Sequence, residues 1–379
     1  MPEPVRIAID AHSVGARLGG NETYAINLIE ALARLDQLNQ YTIYVTKQQA
    51  VDRFGGRWPN FTVRLTLPHT PLVRIPLTLS RELRRRPVDV LHVQYTAPPF
   101  TPCPIVTTIH DLAFEHLPET FNRRSWMQLR LTVRSTARRA AQIITVSEYS
   151  RADIINTYRV APELVSVTPE AAAPAFQCVE DETELQRVRE AYGLEGDYIL
   201  SLCSIQPRKN LVRLIEAYSL LRRSHPEGKL PQLVLAGKRG WLDNETMRAA
   251  ADDELKAHIR FTGYVADEHL NALYSAATCF VYPSYFEGFG LPILEAMKCG
   301  TPVIAGNRTS IPEVTGRAAV LFDPFDVQSL VEALKRVLND SQYRLALRAQ
   351  GFQRASEFSW ETTARLTLAA YEKAAGKQA

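Results

Sequence analysis

Two glutamates with seven residues between them carry the clearest chemical signal in the chain. In SYFEGFGLPILEAMKCG, Glu287 is followed by Gly288, Phe289, Gly290 and Leu291, and Pro292 opens a helix that contains Glu295. The amides of a first helical turn and the helix dipole favour an anion, and glycine lets backbone approach a phosphate closely. Two carboxylates there would repel a phosphate, so they are expected to accept hydrogen bonds from hydroxyl groups beside it. Hydroxyls next to phosphate describe a nucleotide sugar. Glu295 taken alone is equally well explained as an acid that stabilises the helix dipole, but no structural rule asks for the whole string.

Three further loops could carry chemistry. In CSIQPRKN (Cys203–Asn210), adjacent Arg208 and Lys209 stand at a helix start, where they oppose the dipole but suit a phosphate; a solvated basic pair is the plain alternative. In AHSVGARLGGN, Gly19 and Gly20 precede a helix in the manner of a phosphate loop, although the G-x-G-x-x-G spacing is missing and a simple glycine turn serves as well. In VTTIHDLAF, His110 and Asp111 end a strand, where a histidine either faces a ligand or packs in the core. The sequence has no G-x-S-x-G, P-loop or H-E-x-x-H signature. It also lacks any Asp-x-Asp pair, which leaves a divalent metal on a diphosphate without a local carboxylate clamp.

Such loops need strand ends to hold them. Short apolar runs alternate with longer amphipathic ones, the pattern of a parallel α/β sheet. Strands are expected at Val5–Asp10, Tyr41–Val45, Phe61–Thr66, Val88–Val93, Ile105–Ile109 and Ile143–Val146, with a helix over Asn21–Leu35. From about Thr168 to Gly196 the alternation breaks, then restarts at Tyr198–Cys203 and continues through QLVLAG, IRFTG, CFVYP, TPVIAG and AAVLF. The expectation is therefore an α/β chain with two Rossmann-like parallel-sheet domains facing a cleft, because ligands of such sheets collect at the carboxyl ends of the strands. Residues 1–175 form the first domain, 176–196 a linker and 197–358 the second, while a helix in 359–379 is free to cross back to the first.

A length of 379 residues suits two domains, and 46% hydrophobic with 22% charged residues excludes a disordered or collagen-like chain. The opening MPEPVRIAIDAHS has no secretory pattern and no apolar run reaches the roughly 18 residues of a membrane span, so a cytoplasmic location is expected. Cys103, Cys178, Cys203, Cys279 and Cys299 form no C-x-x-C pair and are expected to be buried thiols. Residues 1–175 carry 20 Lys and Arg against 15 Asp and Glu. The excess is densest from Arg123 to Arg139, where Arg130, Arg134 and Arg138 share one helix face. That face is either solvated or meets an anionic surface, which would make the protein peripheral on the inner side of the plasma membrane.

At these residues the sequence resembles the retaining glycosyltransferases of family 4, which have the two-Rossmann GT-B fold. The resemblance runs through NETYAINLIEAL, TIHDL, VSEYSR, PRKN, FTGYV, EGFGLPILEAMKCGTPVIA and FSWETTA. It implies that Glu287 holds donor-sugar hydroxyls and Glu295 the ribose, with Gly288, Phe289, Gly290 and Leu291 at the sugar and phosphate. It further implies that Arg208 and Lys209 bind the diphosphate, that the Gly19–Gly20 loop touches phosphate through Gly20, and that His110 stands beside the donor sugar. FTGYVADEHL is similar to the loop that meets the base, with Val265 offering backbone and Asp267 a partner for guanine; an N-cap is the plain reading of Asp267. Many members carry an arginine a few residues before PRK, whereas Cys203 and Ser204 stand here, which leaves Arg208 to supply that charge.

IDAHS, LHVQY, TIHDL and PRKN together are similar to bacterial mannosyltransferases that assemble surface polysaccharides. The resemblance implies a hexose moved from a nucleotide diphosphate sugar, GDP-mannose as the best single donor, to a glycan or polyprenyl-linked acceptor. No cofactor, metal or nucleic acid is expected. A UDP-sugar donor or a sugar-nucleotide epimerase on the same double sheet is the alternative. A two-lobed sugar receptor is disfavoured, because it would carry an export signal and no basic phosphate loop.

Overall fold

Runs of four to six residues rich in Val, Ile and Tyr are too short for helices and build two wholly parallel sheets. The computed structural model describes residues 3–16, 19–224, 230–240 and 243–376. Its chain divides into two compact units, Met1–Glu170 with Ser359–Ala379, and Ala171–Phe358.

The first unit holds seven strands: β1 (Arg6–Asp10), β2 (Gln40–Val45), β3 (Phe61–Leu65), β4 (Val90–Gln94), β5 (Ile105–Thr108), β6 (Gln142–Thr145) and β7 (Val165–Val167). They lie in the order β3-β2-β1-β4-β5-β6-β7, with Ile9 of β1 opposite Ile43 of β2 and His92 of β4. Every residue of β4, β5 and β6 is buried, as strands covered on both faces require. Leu79 and Leu83 pack with Val133 and Ala137 of the Arg123–Arg139 helix and Tyr158 in one cluster on this sheet. Strand order reverses between β1 and β4, the point at which such sheets bind ligands.

The second unit holds β8 (Tyr198–Leu202), β9 (Gln232–Ala236), β10 (Ile259–Gly263), β11 (Cys279–Tyr282), β12 (Val303–Gly306) and β13 (Ala319–Phe322). Their order is β10-β9-β8-β11-β12-β13, and it reverses between β8 and β11. The loops after these two strands are the ones that carry Arg208, Lys209 and Glu287.

The structure departs from the sequence expectations in four places. The chain passes between units at Glu170, and the expected linker belongs to the second unit as helix Glu182–Tyr192, whose Leu185 and Val188 are buried. Two apolar positions among nine polar or small ones gave too weak a stripe to read. β7 was missed because its three residues are shorter than the strand pattern. Cys103 and Cys178 are half-buried, unlike the three other cysteines. Of the basic face, Arg134 is half-buried over the Tyr158 ring and Arg130 pairs with Glu115 at 3.3 Å.

The helix Trp360–Ala374 belongs to the first unit, with Trp360 packed on Tyr24 at 6.0 Å and Ala364, Ala370 and Tyr371 buried. A buried chain of hydrogen bonds fixes it. The Tyr371 hydroxyl lies 2.6 Å from His92 Nδ1, His92 Nε2 lies 2.7 Å from Thr108 Oγ1, and Thr108 lies 2.9 Å from the Tyr24 hydroxyl. Burial, reinforced by His110, holds His92 down at about 3, so the ring is neutral and needs a partner at each nitrogen. Tyr371→Phe keeps the packing and removes one partner; it should destabilise the first unit by about 1–3 kcal/mol in denaturant unfolding.

Candidate active site

The second unit brings Arg208, Lys209 and Glu287 into direct contact. Pro207–Lys209 form a single 3-10 turn, closed by Asn210 in the left-handed region at φ 55°. Asn210 Nδ2 donates to the carbonyls of Pro283 at 3.1 Å and Pro324 at 2.8 Å, tying the loop after β8 to those after β11 and β13. Lys209 Nζ then donates to Glu287 Oε1 at 2.6 Å and to the Tyr282 hydroxyl at 2.7 Å. Arg208 Nη1 donates to Glu287 Oε2 and to the Phe286 carbonyl, each at 3.0 Å.

Glu287 is 6% exposed and Lys209 7%, so this is a buried ion pair. Burial alone would push the Glu287 carboxyl up; the charges of Lys209 and Arg208 outweigh it and hold the group at about 2. Its backbone is held as firmly, because the Glu287 amide donates to Thr309 Oγ1 at 3.1 Å and Ser310 Oγ donates to the carbonyls of Glu287 at 2.9 Å and Phe289 at 3.1 Å. Gly290 caps the helix Leu291–Lys298 with φ 110°, and a Cβ there would come within 3.2 Å of Ile293. Gly288, Phe289 and Leu291 are buried around this helix start, and Phe289 packs edge-on to Phe358. On the same helix, Glu295 Oε2 accepts from the Tyr274 hydroxyl at 2.9 Å.

Val265 and Asp267 follow β10, at the far edge of this sheet. Val265 is buried, and Asp267 is exposed with its carboxylate accepting from the Tyr264 hydroxyl at 3.3 Å. Ala266 occupies the capping position, so the capping reading of Asp267 is not met.

In the first unit, Gly19 caps helix Gly20–Leu35 with φ 62° and ψ −131°, a pair that glycine alone adopts readily, and both glycines are exposed. His110 stands after β5, its Nδ1 3.2 Å from Glu170 Oε1 and its Nε2 3.2 Å from Gln94 Oε1. The sequence reading missed Tyr282, Thr309, Ser310, Tyr274, Gln94 and Glu170. Only Tyr282 had a local signal, as the last residue but one of the expected strand CFVYP, just before the loop that carries Glu287. It also missed Asp10 at the end of β1, which Arg74 Nη1 bonds at 2.8 and 2.9 Å with both side chains about 1% exposed.

Residues 182–354 match the model of glycosyl transferases group 1, and residues 18–173 match that of glycosyltransferase family 4. The chain is 37% identical over 272 residues to O-antigen chain mannosyltransferase B of Escherichia coli, covering 70% of each. It is 31% identical over 261 residues to the MMP alpha-(1->4)-mannosyltransferase of Mycolicibacterium hassiacum, covering 68% of this chain and 60% of that protein. Among solved structures, sucrose-phosphate synthase of Thermosynechococcus elongatus superposes with a TM-score of 0.77 at 20% identity, covering 97% of this chain and 98% of that one.

Two doubly wound parallel sheets of this order are the GT-B architecture of glycosyltransferases. The chain belongs to glycosyltransferase family 4 and is an enzyme.

The ion pair has a testable pH signature. Glu287→Gln leaves two cations facing an amide and should cost on the order of 3–5 kcal/mol at neutral pH. Because the folded carboxyl sits at about 2 against roughly 4.3 when free, the parent's advantage is complete above that free value. It shrinks as the pH falls towards the folded value, where the parent also takes up a proton. Urea unfolding of both proteins across that range measures the difference.

Proposed function

We propose that the enzyme moves a mannosyl group from GDP-mannose to a hydroxyl of a lipid-linked glycan, with retained configuration and without a metal ion. The observation that carries this reading is the Glu287 carboxylate held between Lys209 and Arg208 at the β8–β11 switch point, beside a helix start. Identity with mannosyltransferases supports mannose as the sugar.

Each Glu287 oxygen accepts one cationic donor, and because a carboxylate oxygen can accept two bonds, the group can take a sugar hydroxyl as well. Glu295 takes the ribose. In the reaction the bond from the sugar's anomeric carbon to the diphosphate oxygen breaks, and the acceptor oxygen bonds that carbon. The acceptor's proton passes to the departing phosphate oxygen. Arg208, Lys209 and the helix-start amides meet the charge that grows on the diphosphate, the work a metal ion does elsewhere. From the first unit, His110 is assigned to the donor sugar and the Gly19–Gly20 loop to phosphate; Val265 and Asp267 are assigned to the base.

Lys209 also has a structural role, through Glu287 and Tyr282. Lys209→Met should therefore lower both the melting temperature and kcat, the latter by roughly 10²–10³ with a modest change in KM. Glu295→Gln should raise donor KM more than it lowers kcat. A binding panel of GDP-mannose, GDP, UDP-glucose and UDP identifies the donor, and turnover with the productive donor should persist in excess EDTA. Tight binding of the UDP compounds alone, or a loss in EDTA that Mg²⁺ restores, would overturn the donor or the metal-free step respectively.

No described helix is long and apolar enough to cross a membrane. We place the enzyme on the cytoplasmic face of one. Arg123, Arg124 and Arg138 are exposed on the Arg123–Arg139 helix together with Met127 and Leu131, the latter 73% exposed. A basic face with apolar side chains among its charges suits an anionic leaflet, at about 1 kcal/mol per Lys or Arg. The protein should float with phosphatidylglycerol-containing vesicles at low salt and stay behind with pure phosphatidylcholine; an equal response to both refutes the electrostatic contact.

A further inference from the structure

We infer that Glu170 is a positioning residue for His110, fixing which ring nitrogen carries the proton and the plane in which the ring stands. The inference rests on the role proposed above for His110. Glu170 is 4% exposed and His110 8%. Nothing in the local fold asks for a buried acid at this point: Glu170 follows β7 and Pro169 and is the last residue before the chain leaves the first unit. Its Oε1 faces His110 Nδ1 at 3.2 Å.

The other contacts of the ring leave it little freedom. His110 meets Tyr24 edge-on at 4.7 Å and Tyr95 at 5.8 Å, and its carbonyl accepts from Ser150 Oγ at 3.0 Å. Nε2 faces Gln94 Oε1, and Gln94 Nε2 is 3.3 Å from both Ser13 Oγ and the Asn21 carbonyl. A carboxylate is an acceptor only and a stronger one than a carboxamide oxygen, so a ring with one proton carries it on Nδ1. Gln94 Oε1 is itself an acceptor, its amide nitrogen being turned to Ser13 and Asn21, so Nε2 of that tautomer gets no donor from Gln94 and is the ring position left to accept from a hydroxyl of the ligand. Tyr95, immediately after Gln94, is held at φ 62°, a conformation costly for a tyrosine and consistent with a place where chain geometry serves placement of neighbouring groups.

Glu170→Gln keeps the shape and removes the charge; Glu170→Ala is made alongside it so that a folding defect in one leaves the other to report. Two readouts are needed. Nitrogen NMR of the histidine rings should show the His110 proton on Nδ1 in the parent and a shift towards Nε2 in the variants. The kcat should fall by about 10- to 100-fold, as for loss of an orienting partner, with donor KM within about threefold. Glu170→Asp, which retains the charge, should recover part of the kcat. His110→Ala is the control. If it abolishes turnover while Glu170→Gln leaves both the ring proton and kcat unchanged, Glu170 is not a positioning residue. If His110→Ala retains parental kcat, the role of His110 falls, and the ring spectrum alone decides whether Glu170 sets the tautomer.

Discussion

Burial of the Glu287 carboxylate against the Lys209 ammonium is the constraint on which the second unit depends. Removing two such ions from water costs several kcal/mol each, and close geometry with further hydrogen bonds is needed to recover it. Here the contact is 2.6 Å, Arg208 engages the second oxygen and the Tyr282 hydroxyl the ammonium. The demand spreads outward. Asn210 must turn left-handed so that the PRK turn closes, and Ser310 must hold two carbonyls of the facing loop. Loops from three strand ends are thereby fixed to one another by the need to keep a single acid paired.

An acid between two cations is an odd choice for a site meant only to attract a diphosphate, since it removes one unit of positive charge. It makes sense for a site that must also recognise hydroxyls. Each Glu287 oxygen can accept twice, and a lysine ammonium has three protons, of which Glu287 and Tyr282 engage two. In the proposed function, the cations are held in place by a group that itself reads the sugar. Fixed dipoles and charges of this kind stabilise a departing anion without reorganising at the moment of reaction.

What could be read from the sequence followed from how locally each feature is encoded. The EGFGLPILE string and the PRK turn are contiguous, and their place after strand ends could be inferred from the alternation of apolar runs. Their mutual contact could not, because it depends on β8 and β11 being neighbours although seventy-odd residues separate their loops. The Glu182–Tyr192 helix was hidden because only Leu185 and Val188 turn inward. The C-terminal helix was legible as a helix, but its place in the first unit only as one of two options, since its partners Tyr24 and His92 are far from it in sequence. Glu170 sits in PEAAAPAF, a stretch without any periodicity from which a direction could be argued.

His92 and His110 show why a histidine's role cannot be assigned by its place on a strand. Both come from central strands of the first sheet, β4 and the end of β5, and both are buried. His92 lies between two hydroxyls, Tyr371 and Thr108, which can each donate or accept and so adapt to a neutral ring; burial then holds it down at about 3. Such a ring cross-links helix to sheet, one nitrogen donating its N–H to one hydroxyl and the other accepting from the second. His110 lies between a carboxylate and a carboxamide, groups that differ in charge and distinguish its two nitrogens. That asymmetry gives the ring a defined direction, which packing does not need and proton placement does.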